Sequence, residues 1–513
     1  MISALATLAA ATAGVVLLAE RGSGEATSEP PAKPPVVLLI FDEFPTDDLL
    51  GPDGRIDAER FPNFAQLARL STWFPNATTL YDSTFKAVPM ILDSVYPRRG
   101  TAPDLRSHHR SIYTLFDRHG YGVEDVESGT AICLPRICPG ARTRRPGVLA
   151  RLKGPGRADR LTRWIHGIRP RPRPTLYVQH SLLPHEPWIY LPSGRQSRPS
   201  GEDPIPGINR PPGFDELELT QHNEARHVLQ AGFVDRELGR LLRRLRARGM
   251  LDEALLVVTA DHGYAFDLNV PGRRRVTERS IDELGPVPLF VKAPGQEGGR
   301  IDRSYVRNID ILPTIADLLG WRVPWSHDGR SAFDAVTRRR REVAIPTRDF
   351  GTVIRVGARE LERRRSENRL ARTRLYGTGL ESRTILGDPW AMVYRTGPHA
   401  ELLGRRVAHL PLAAAGPARA RLYDARLVHR VEHRARVVPV KLAGEVSGPG
   451  GAARDVVIAV NGRVRGSGRT FRLSPRRAEN FSILVPEDSL REGDNDVRMY
   501  EVRRGRLVPL GRA

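Results

Sequence analysis

The stretch Val36-Val-Leu-Leu-Ile-Phe-Asp42-Glu43 decides the fold, and a second stretch of the same kind, Leu255-Leu-Val-Val-Thr-Ala-Asp261-His262-Gly263, lies far downstream. Each is a short apolar run followed directly by acidic or imidazole side chains. Such runs are typical of strands buried on both faces of a parallel sheet. Because functional groups collect at the carboxyl ends of parallel strands, we expect Asp42, Asp261 and His262 to lie close together. Carboxylates with an imidazole are a common ligand set for a divalent metal.

Strand and helix patterns alternate around these two runs up to about residue 335. Apolar strand patterns occur at 175–179 and 287–292, and a long amphipathic helix is predicted at 220–248. This alternation predicts an α/β fold with a doubly wound, mostly parallel sheet. We assign residues 36–340 to this domain, which would carry the chemistry.

The pattern changes in the C-terminal third of the chain. Residues 341–420 are interpreted as a basic connector, and residues 421–513 show the short alternating strands of a smaller antiparallel β-domain. Asn461-Gly462 is typical of a hairpin turn. This segment has no cluster of His, Cys or Asp, so we interpret it as an accessory domain.

The charge of the chain is strongly positive, at +21 over 513 residues. Only five of its 80 basic residues are lysines, a bias that fits a GC-rich genome better than a nucleic-acid-binding surface. The basic stretches are not interleaved with aromatic residues, and zinc-finger spacing is absent. We therefore expect no nucleic-acid partner, whereas the positive field favours anionic substrates.

The N-terminus begins with an apolar run, Ile2 to Ala19, that is at the lower limit of length for a membrane span. A Ser-, Pro- and Glu-rich tether follows it. We interpret residues 1–20 as a membrane anchor or signal-like segment and residues 21–35 as a linker, although the basic n-region of a signal peptide is absent. The alternative is a buried N-terminal helix.

The two cysteines, Cys133 and Cys138, lie close together between prolines. We expect them to form a disulfide, which would indicate an oxidising compartment. Two free thiols or half of a metal site are the alternatives, and no second cysteine pair exists to complete a zinc site. With the N-terminal run, this favours a catalytic domain outside the cytoplasm, either membrane-anchored or secreted.

A hydroxyl group precedes a predicted helix in Tyr81-Asp-Ser-Thr84-Phe-Lys86-Ala-Val-Pro-Met-Ile-Leu92. A helix N-terminus favours negative charge, and a divalent metal lowers the pKa of a hydroxyl directly. Lys86 could neutralise a phosphoryl or sulfuryl oxygen. The alternative is that Ser83 or Thr84 merely caps the helix.

Taken in order, these motifs resemble the alkaline phosphatase/sulfatase superfamily, and within it the membrane-tethered branch of sulfatase-like phosphoglycerol transferases and lipoteichoic acid synthases. The resemblance covers about residues 36–335 and implies an alkaline-phosphatase-like fold. Its other parts are Pro62-Asn-Phe64, Ala87-Val-Pro-Met-Ile-Leu92, Tyr96-Pro97, Leu183-Pro-His-Glu-Pro-Trp188, Asp235-Arg-Glu-Leu-Gly239, Pro288-Leu-Phe-Val-Lys-Ala-Pro-Gly295 and Asn308-Ile-Asp-Ile-Leu-Pro-Thr314.

The resemblance implies roles for individual residues of the predicted site. The metal ligands would be Asp42, Asp261 and His262, with Glu43 as a further candidate. Thr84 occupies the position of the metal-bound nucleophile, with Ser83 as the fallback. The resemblance assigns substrate binding to His185, while His180 and His327 are weaker candidates.

One departure from the superfamily pattern points to the reaction. Many sulfatases convert the first residue of a Cys-x-Pro-x-Arg or Ser-x-Pro-x-Arg motif into formylglycine, whereas this chain has Thr84-Phe-Lys-Ala-Val88 there. Oxidation of threonine would give a ketone, so phosphoester chemistry is favoured over sulfate-ester hydrolysis.

The resulting expectation is a metal-dependent hydrolase or transferase that acts on phosphate (di)esters at the cell envelope. It would use Thr84 and one divalent ion, which could be Mn²⁺, Mg²⁺, Zn²⁺ or Ca²⁺. The substrate would be an anionic phosphoester, either a lipid or an envelope polymer, with the membrane contacted through the N-terminus. The alternatives are a sulfuric ester hydrolase and a catalytically silent envelope-binding protein.

Overall fold

The computed structural model describes residues 33–127, 129–138, 156–199, 203, 205, 217–266, 274–432, 434–449, 453–473 and 479–512. The strands are β1 (Val36–Asp42), β2 (Thr72–Trp73), β3 (Gly122–Val126), β4 (Thr175–Pro184), β5 (Leu255–Ala260), β6 (Leu289–Lys292), β7 (Arg300–Ile301), β8 (Glu342–Pro346), β9 (Val353–Gly357), β10 (Arg419–Leu422), β11 (Arg430–Val431), β12 (Lys441–Ser447), β13 (Asp455–Val460), β14 (Arg463–Arg469), β15 (Phe471–Arg472), β16 (Glu479–Leu484), β17 (Gly493–Asp494), β18 (Val497–Arg503), β19 (Arg506–Pro509) and β20 (Gly511–Arg512). The described α-helices are α1 (Pro62–Ala68), α2 (Thr84–Asp93), α3 (Ile112–Arg118), α4 (Arg157–Gly167), α5 (Leu217–Ala247), α6 (Ile281–Leu284), α7 (Ile311–Leu318), α8 (Ala335–Arg338), α9 (Ala358–Tyr376), α10 (Gly379–Leu386) and α11 (Ala425–His429).

The central sheet has seven strands in the order β3-β4-β1-β5-β6-β2-β7. Four adjacent strands, β3, β4, β1 and β5, are parallel to one another. Strands β1 and β5 therefore lie side by side and point the same way. Strand β6 runs antiparallel to both β5 and β2. The predicted α/β class with a mostly parallel sheet is therefore confirmed, with the antiparallel strand β6 beside β5.

Helices cover both faces of this sheet because alternate residues of each buried strand point to opposite sides. Leu39 and Phe41 belong to a core that includes residues of α1, α4 and α5. Leu38 and Ile40 belong to a second core that includes residues of α2, α3 and α7. The continuous apolar run of β1 thus serves two hydrophobic cores, which is the doubly wound arrangement.

Strand β4 is longer than the sequence pattern predicted. The pattern placed its end near Gln179, whereas the strand continues through His180 to Pro184. The extension is paired with β1, where the register shifts between Phe41 and Asp42 so that Asp42 lies opposite Pro184. His180 therefore lies within the strand, and His185 follows its end.

The C-terminal part forms two larger sheets, β14-β13-β18-β19 and β15-β16-β12-β10-β20, beside the two-stranded pair β11-β17. All their strand pairs are antiparallel except β10 with β20. Asn461 and Gly462 connect β13 to β14 with φ angles of 50° and 75°, as a tight hairpin turn requires. The predicted antiparallel β-rich region is confirmed.

The predicted membrane anchor requires correction. Residues 1–20, on which it was based, lie outside the described residues. Within the part of the chain that the structure describes, no helix is long and apolar enough to cross a membrane. The longest helices, α5 with 31 residues and α9 with 19, carry many charged side chains. The predicted membrane-anchored localisation is accordingly contradicted.

The two cysteines form the expected disulfide. Cys133 and Cys138 are joined with their Cα atoms 6.1 Å apart. Both are buried in the core that contains α2 and α3. The bridge therefore holds the loop after β3 against the side of the sheet where α2 lies.

Candidate metal centre and catalytic site

The carboxyl ends of β1 and β5 bring three predicted ligands together. Asp42 ends β1, and Asp261 and His262 follow β5 directly. Ligand atoms of Asp42, Asp261 and His262 all lie within 4.8 Å of one another, and the three residues are buried. The structure thus joins, through parallel strand pairing, side chains that are far apart in the sequence.

A second group shares Asp42 with Glu43 and His185, whose ligand atoms also lie within 4.8 Å of one another. Glu43 has a left-handed backbone with φ 59°, which is uncommon for a residue other than glycine. Its amide donates to Asp261 Oδ1 at 3.2 Å, and its carbonyl lies 3.0 Å from His227 Nε2. These contacts hold the strained turn that carries Glu43 beside Asp42.

The His185 ring is oriented by its own backbone. Burial and the Arg274 charge hold the pKa of His185 well below its usual value. Its Nδ1–H donates to the Glu186 carbonyl at 2.7 Å, and Nε2 lies 3.4 Å from Glu43 Oε1. A neutral ring with Nε2 unprotonated is suited to bind a cation or accept a hydrogen bond, and not to give up a proton.

Asp42 and Asp261 are buried carboxylates that lie close together, an arrangement that a bound cation would stabilise. Burial and the Asp261 carboxylate raise the pKa of Asp42 to about 7, against the opposing charges of His180 and His262. Asp261 Oδ2 is buried without a hydrogen-bond partner among the described residues. Because an unpaired buried carboxylate oxygen is costly, this donor set fits a divalent cation.

Thr84 faces this centre from the start of helix α2. It is the first residue of the helix, and its Oγ1 donates a hydrogen bond to Asp42 Oδ1 at 3.4 Å. Ser83 occupies the cap position but makes no side-chain capping hydrogen bond. Of the two predicted hydroxyls, Thr84 is therefore the one hydrogen-bonded to a candidate metal ligand.

His180 also belongs to this neighbourhood. Its Nε2 lies 3.9 Å from Asp42 Oδ2, and its Nδ1 lies 2.8 Å from Glu127 Oε1. Although burial lowers it, the hydrogen bond to Glu127 and the nearby carboxylates raise the pKa of His180 to about 9. The structure thus places His180, a weaker candidate from the sequence, beside the candidate metal ligand Asp42.

Comparison with known proteins gives a family match for part of the chain. The Sulfatase family model matches residues 157–321. The chain carries a sulfatase-family domain. The predicted superfamily, alkaline phosphatase-like, is confirmed by this match.

Individual relatives match short parts of the chain. The multifunctional alkaline phosphatase superfamily protein PehA of Trinickia caryophylli is 34% identical over 101 residues, 19% of this chain and 19% of that protein. Lipoteichoic acid synthase 2 of Bacillus subtilis is 30% identical over 126 residues, 23% of this chain and 19% of that protein. The solved phosphonate monoester hydrolase SpPMH of Silicibacter pomeroyi gives a TM-score of 0.43 at 21% identity and covers 61% of this chain and 79% of its own. The matches to the two curated relatives span about a fifth of their length.

The region matched by the sulfatase family model contains the later half of the site and one residue that sequence reasoning missed. Arg274 Nη2 donates to Glu43 Oε2 at 3.2 Å and lies 3.2 Å from Glu186 Oε1. Its guanidinium also lies 5.7 Å from the Tyr264 ring centre. No sequence pattern indicated this role, because Arg274 lies in a run of three arginines that resembles a solvated surface stretch.

Two other residues predicted from the sequence, Lys86 and His327, make their contacts away from the candidate metal ligands. The Lys86 ammonium donates to the carbonyls of Arg98 and Thr101, both at 2.6 Å. His327 Nδ1 lies 2.9 Å from the Trp325 carbonyl. The structure therefore does not bring Lys86 or His327 together with Asp42 and Thr84.

Proposed function

We propose that this protein is a metal-dependent hydrolase or transferase of phosphate monoesters or diesters, with Thr84 as its nucleophile. The observation that carries the proposal is the hydrogen bond from Thr84 Oγ1 to Asp42 Oδ1, at the N-terminus of a helix and beside a group of metal-ligating side chains. A hydroxyl at this position experiences the helix dipole, and a cation held by those side chains would add its own charge.

The reaction proceeds in two displacements at phosphorus, with a phosphothreonine intermediate on Thr84 between them. Thr84 Oγ1 attacks phosphorus while its proton passes to Asp42, and the P–O bond to the leaving alcohol breaks as that oxygen takes a proton from water. Water or an acceptor alcohol then attacks phosphorus, releases Thr84 and yields a hydrolysed or transferred product. Asp42 returns the proton to Thr84 Oγ1, and the attacking group loses its own proton to solvent.

A cation held by Asp42, Asp261 and His262 would lower the pKa of the Thr84 hydroxyl and polarise the phosphoryl oxygens. The mixed oxygen and nitrogen donors favour Mn²⁺ or Zn²⁺.

Arg274 supports an anionic substrate at this site. Its guanidinium pairs with Glu43 and Glu186 and is only partly exposed, with 28% of the side chain accessible. Arginine binds phosphate oxygens in a two-pronged geometry, so a phosphoester that reaches Glu43 meets a fixed positive charge.

The nucleophile separates this proposal from formylglycine chemistry. Both cysteines are joined in the Cys133–Cys138 disulfide, so neither supplies a free thiol for conversion. Thr84 retains a secondary hydroxyl whose oxidation would give a ketone. A sulfuric ester hydrolase would therefore have to use the unmodified hydroxyl, and the relative rates on phosphate and sulfate esters decide between the two functions.

The test compares bis-p-nitrophenyl phosphate with p-nitrophenyl sulfate on the purified full chain, together with metal analysis by mass spectrometry. We expect faster turnover of the phosphodiester, with one equivalent of bound metal. Thr84→Ala should lose roughly 10³-fold or more in kcat, as expected for removal of a nucleophile. Asp261→Ala should lose both metal and activity, while Ser83→Ala, the neighbouring hydroxyl, serves as the matched control and should stay near wild type.

The other outcomes each point elsewhere. Faster turnover of the sulfate ester would favour the sulfuric ester hydrolase. Activity lost in Ser83→Ala but kept in Thr84→Ala would move the nucleophile to Ser83. Absence of both bound metal and turnover would favour a binding protein.

A further inference from the structure

A buried histidine–glutamate pair lies beside Thr84 and is not used in the mechanism above. His180 is within β4 and Glu127 follows β3, so two neighbouring strands deliver them to the same edge as Asp42. The side chains of His180 and Glu127 are 0% and 3% exposed. Among the described residues, His180 pairs with Glu127 and Asp42, and Glu127 forms its ion pair with His180. Ionisable groups buried this completely beside a candidate site indicate a role in that site.

The orientation of the His180 ring follows from Glu127. The Glu127 carboxylate accepts the Nδ1–H of His180 at 2.8 Å and also accepts hydrogen bonds from the backbone amides of Gly129 and Thr130. Glu127 is therefore fixed, and it fixes the ring. The other ring nitrogen, Nε2, is buried, lies 3.9 Å from Asp42 Oδ2 and makes no hydrogen bond to any described residue.

Gly129 shows how close the pair is to the nucleophile. A Cβ atom at Gly129 would lie 3.1 Å from Thr84 Cγ2 and 3.2 Å from His180 Cε1. Both side chains thus flank the same glycine, and the His180 ring and Thr84 share one wall of the site. A group attached to Thr84 Oγ1, beside Asp42, would come within reach of the unpartnered His180 nitrogen.

His180 is not positioned as a ligand of the proposed metal. It belongs to neither of the groups whose ligand atoms lie within 4.8 Å of one another among the described residues. Nε2 is therefore a buried nitrogen beside Asp42, on the wall shared with Thr84, whose hydrogen-bonding capacity is not used by any described residue.

We propose that His180 is a catalytic residue whose Nε2 forms a hydrogen bond with a non-bridging oxygen of the phosphoryl group on Thr84, and that Glu127 is a positioning residue that orients its ring. The inference rests on the proposed function, because it names a further substrate contact of that same site. A hydrogen-bonding group fixed before the reaction stabilises the phosphoryl group in the transition state without having to reorganise. Glu127 acts only through the ring, as an outer carboxylate does for a histidine.

The test uses the full chain with His180→Ala, His180→Gln and Glu127→Gln, and His166→Ala as the matched control on an exposed histidine. Three quantities are measured: bound metal per chain, calorimetric affinity for inorganic phosphate, and kcat and KM on bis-p-nitrophenyl phosphate. We expect His180→Ala to keep its metal, to bind phosphate about tenfold or more weakly, and to lose roughly 10²–10³-fold in kcat, as for removal of a group that forms a hydrogen bond in the transition state. His180→Gln keeps a side-chain N–H and should recover part of the loss.

The double variant His180→Ala/Glu127→Gln distinguishes positioning from general packing. Because Glu127 acts through His180, the double variant should be no slower than His180→Ala alone, whereas independent effects would multiply. The inference is overturned if His180→Ala loses the metal, if it binds phosphate as His166→Ala does, or if Glu127→Gln adds its full loss to that of His180→Ala. Failure of the proposed function has a different signature, namely turnover retained in Thr84→Ala or absent from the wild type, and phosphate affinity decides the role of His180 in either case.

Discussion

At the scale of single residues, the site depends on backbone positions that admit little change. Glu43 is held in a left-handed conformation by hydrogen bonds to Asp261 and His227, at a cost of about 1–2 kcal/mol. Gly263 follows the two metal-ligand candidates of β5, and its amide donates to the Leu284 carbonyl at 2.9 Å. Glu43 thus ties the Asp42 loop to the Asp261 loop, and Gly263 packs the Asp261 loop against Leu284.

Gly263→Ala should destabilise the protein. A Cβ atom there would lie 2.1 Å from the Glu283 carbonyl oxygen and 3.1 Å from Leu284 Cα, both backbone atoms that cannot rotate away. We expect a loss of about 1–3 kcal/mol or more, measured by denaturant unfolding, with reduced metal binding. Gly298→Ala is the control, because nothing lies within 4 Å of a Cβ at that exposed position. Equal unfolding midpoints for the two variants would contradict this account.

Lys86→Met should leave kcat within a few-fold of wild type. The ammonium is held by the carbonyls of Arg98 and Thr101 and by the Thr101 hydroxyl at 2.7 Å, so its removal loosens that loop rather than the phosphoryl site. Steady-state kinetics on the phosphodiester provide the measurement, with Thr84→Ala as the reference for loss of a reacting group. A fall of about 10²-fold or more would show that Lys86 reaches the transition state after all.

At the scale of elements, helix α9 connects the predicted basic connector to the site. Its Arg372 pairs with Asp48 Oδ1 at 2.6 Å and with Glu224 Oε1 at 2.9 Å. Asp48 also lies 2.8 Å from His227 Nδ1, and the other nitrogen of His227 contacts the Glu43 carbonyl. A continuous chain of polar contacts thus runs from α9 to the turn that carries Glu43. The segment predicted as a basic connector therefore has a buried face that supports the ligand loop.

Arg372→Ala should destabilise the fold by about 3–5 kcal/mol, because among the described side chains it leaves buried Asp48 with His227 alone as a charged partner. Arg363→Ala on the same helix is the matched control. Arg363 pairs with Glu360 and Glu367 in solvent, with 56% of its side chain exposed, and should change stability little. Thermal or denaturant unfolding of both variants gives the comparison, and similar stabilities would show that the chain of contacts does not support the ligand loop.

At the scale of the whole molecule, the C-terminal sheets are packed into the rest of the chain from Pro34 onward, which forms one compact unit. Val228 and Leu229 of α5 share a hydrophobic core with strand residues of the C-terminal region, among them Leu442 and Ile483. His222 Nε2 also lies 2.8 Å from Ser482 Oγ. The later turns of α5 therefore pack in the core of the central sheet, and its earlier turns pack against the C-terminal sheets.

Deletion of residues 421–513 should not yield a stable catalytic domain. It would expose Val228 and Leu229, each of which contributes about 1.5–3 kcal/mol when buried. We expect the truncated chain to aggregate or unfold at markedly lower denaturant concentration, and the full chain to unfold in a single transition. Calorimetry of the full chain and size-exclusion chromatography of the truncated form check this. Two separate transitions in the full chain would show that the C-terminal sheets fold independently.

The sequence by itself determined the class of fold, the superfamily and the two strands that carry Asp42, Asp261 and His262. It could do so because buried parallel strands leave continuous apolar runs, and because their carboxyl ends must share one edge of the sheet. The hydroxyl at the start of α2 was also visible, since helix starts have a local signature.

Only the tertiary structure decided which polar side chains join that edge. Glu127 and Arg274 come from loops whose sequences resemble solvated surface, and Lys86 leaves the site for nearby backbone carbonyls. His180 enters because β4 extends past its expected end, where it pairs with Ile40 of β1, two residues before Asp42. Local patterns report periodicity along one chain segment, whereas these placements depend on contacts between segments that are distant in the sequence.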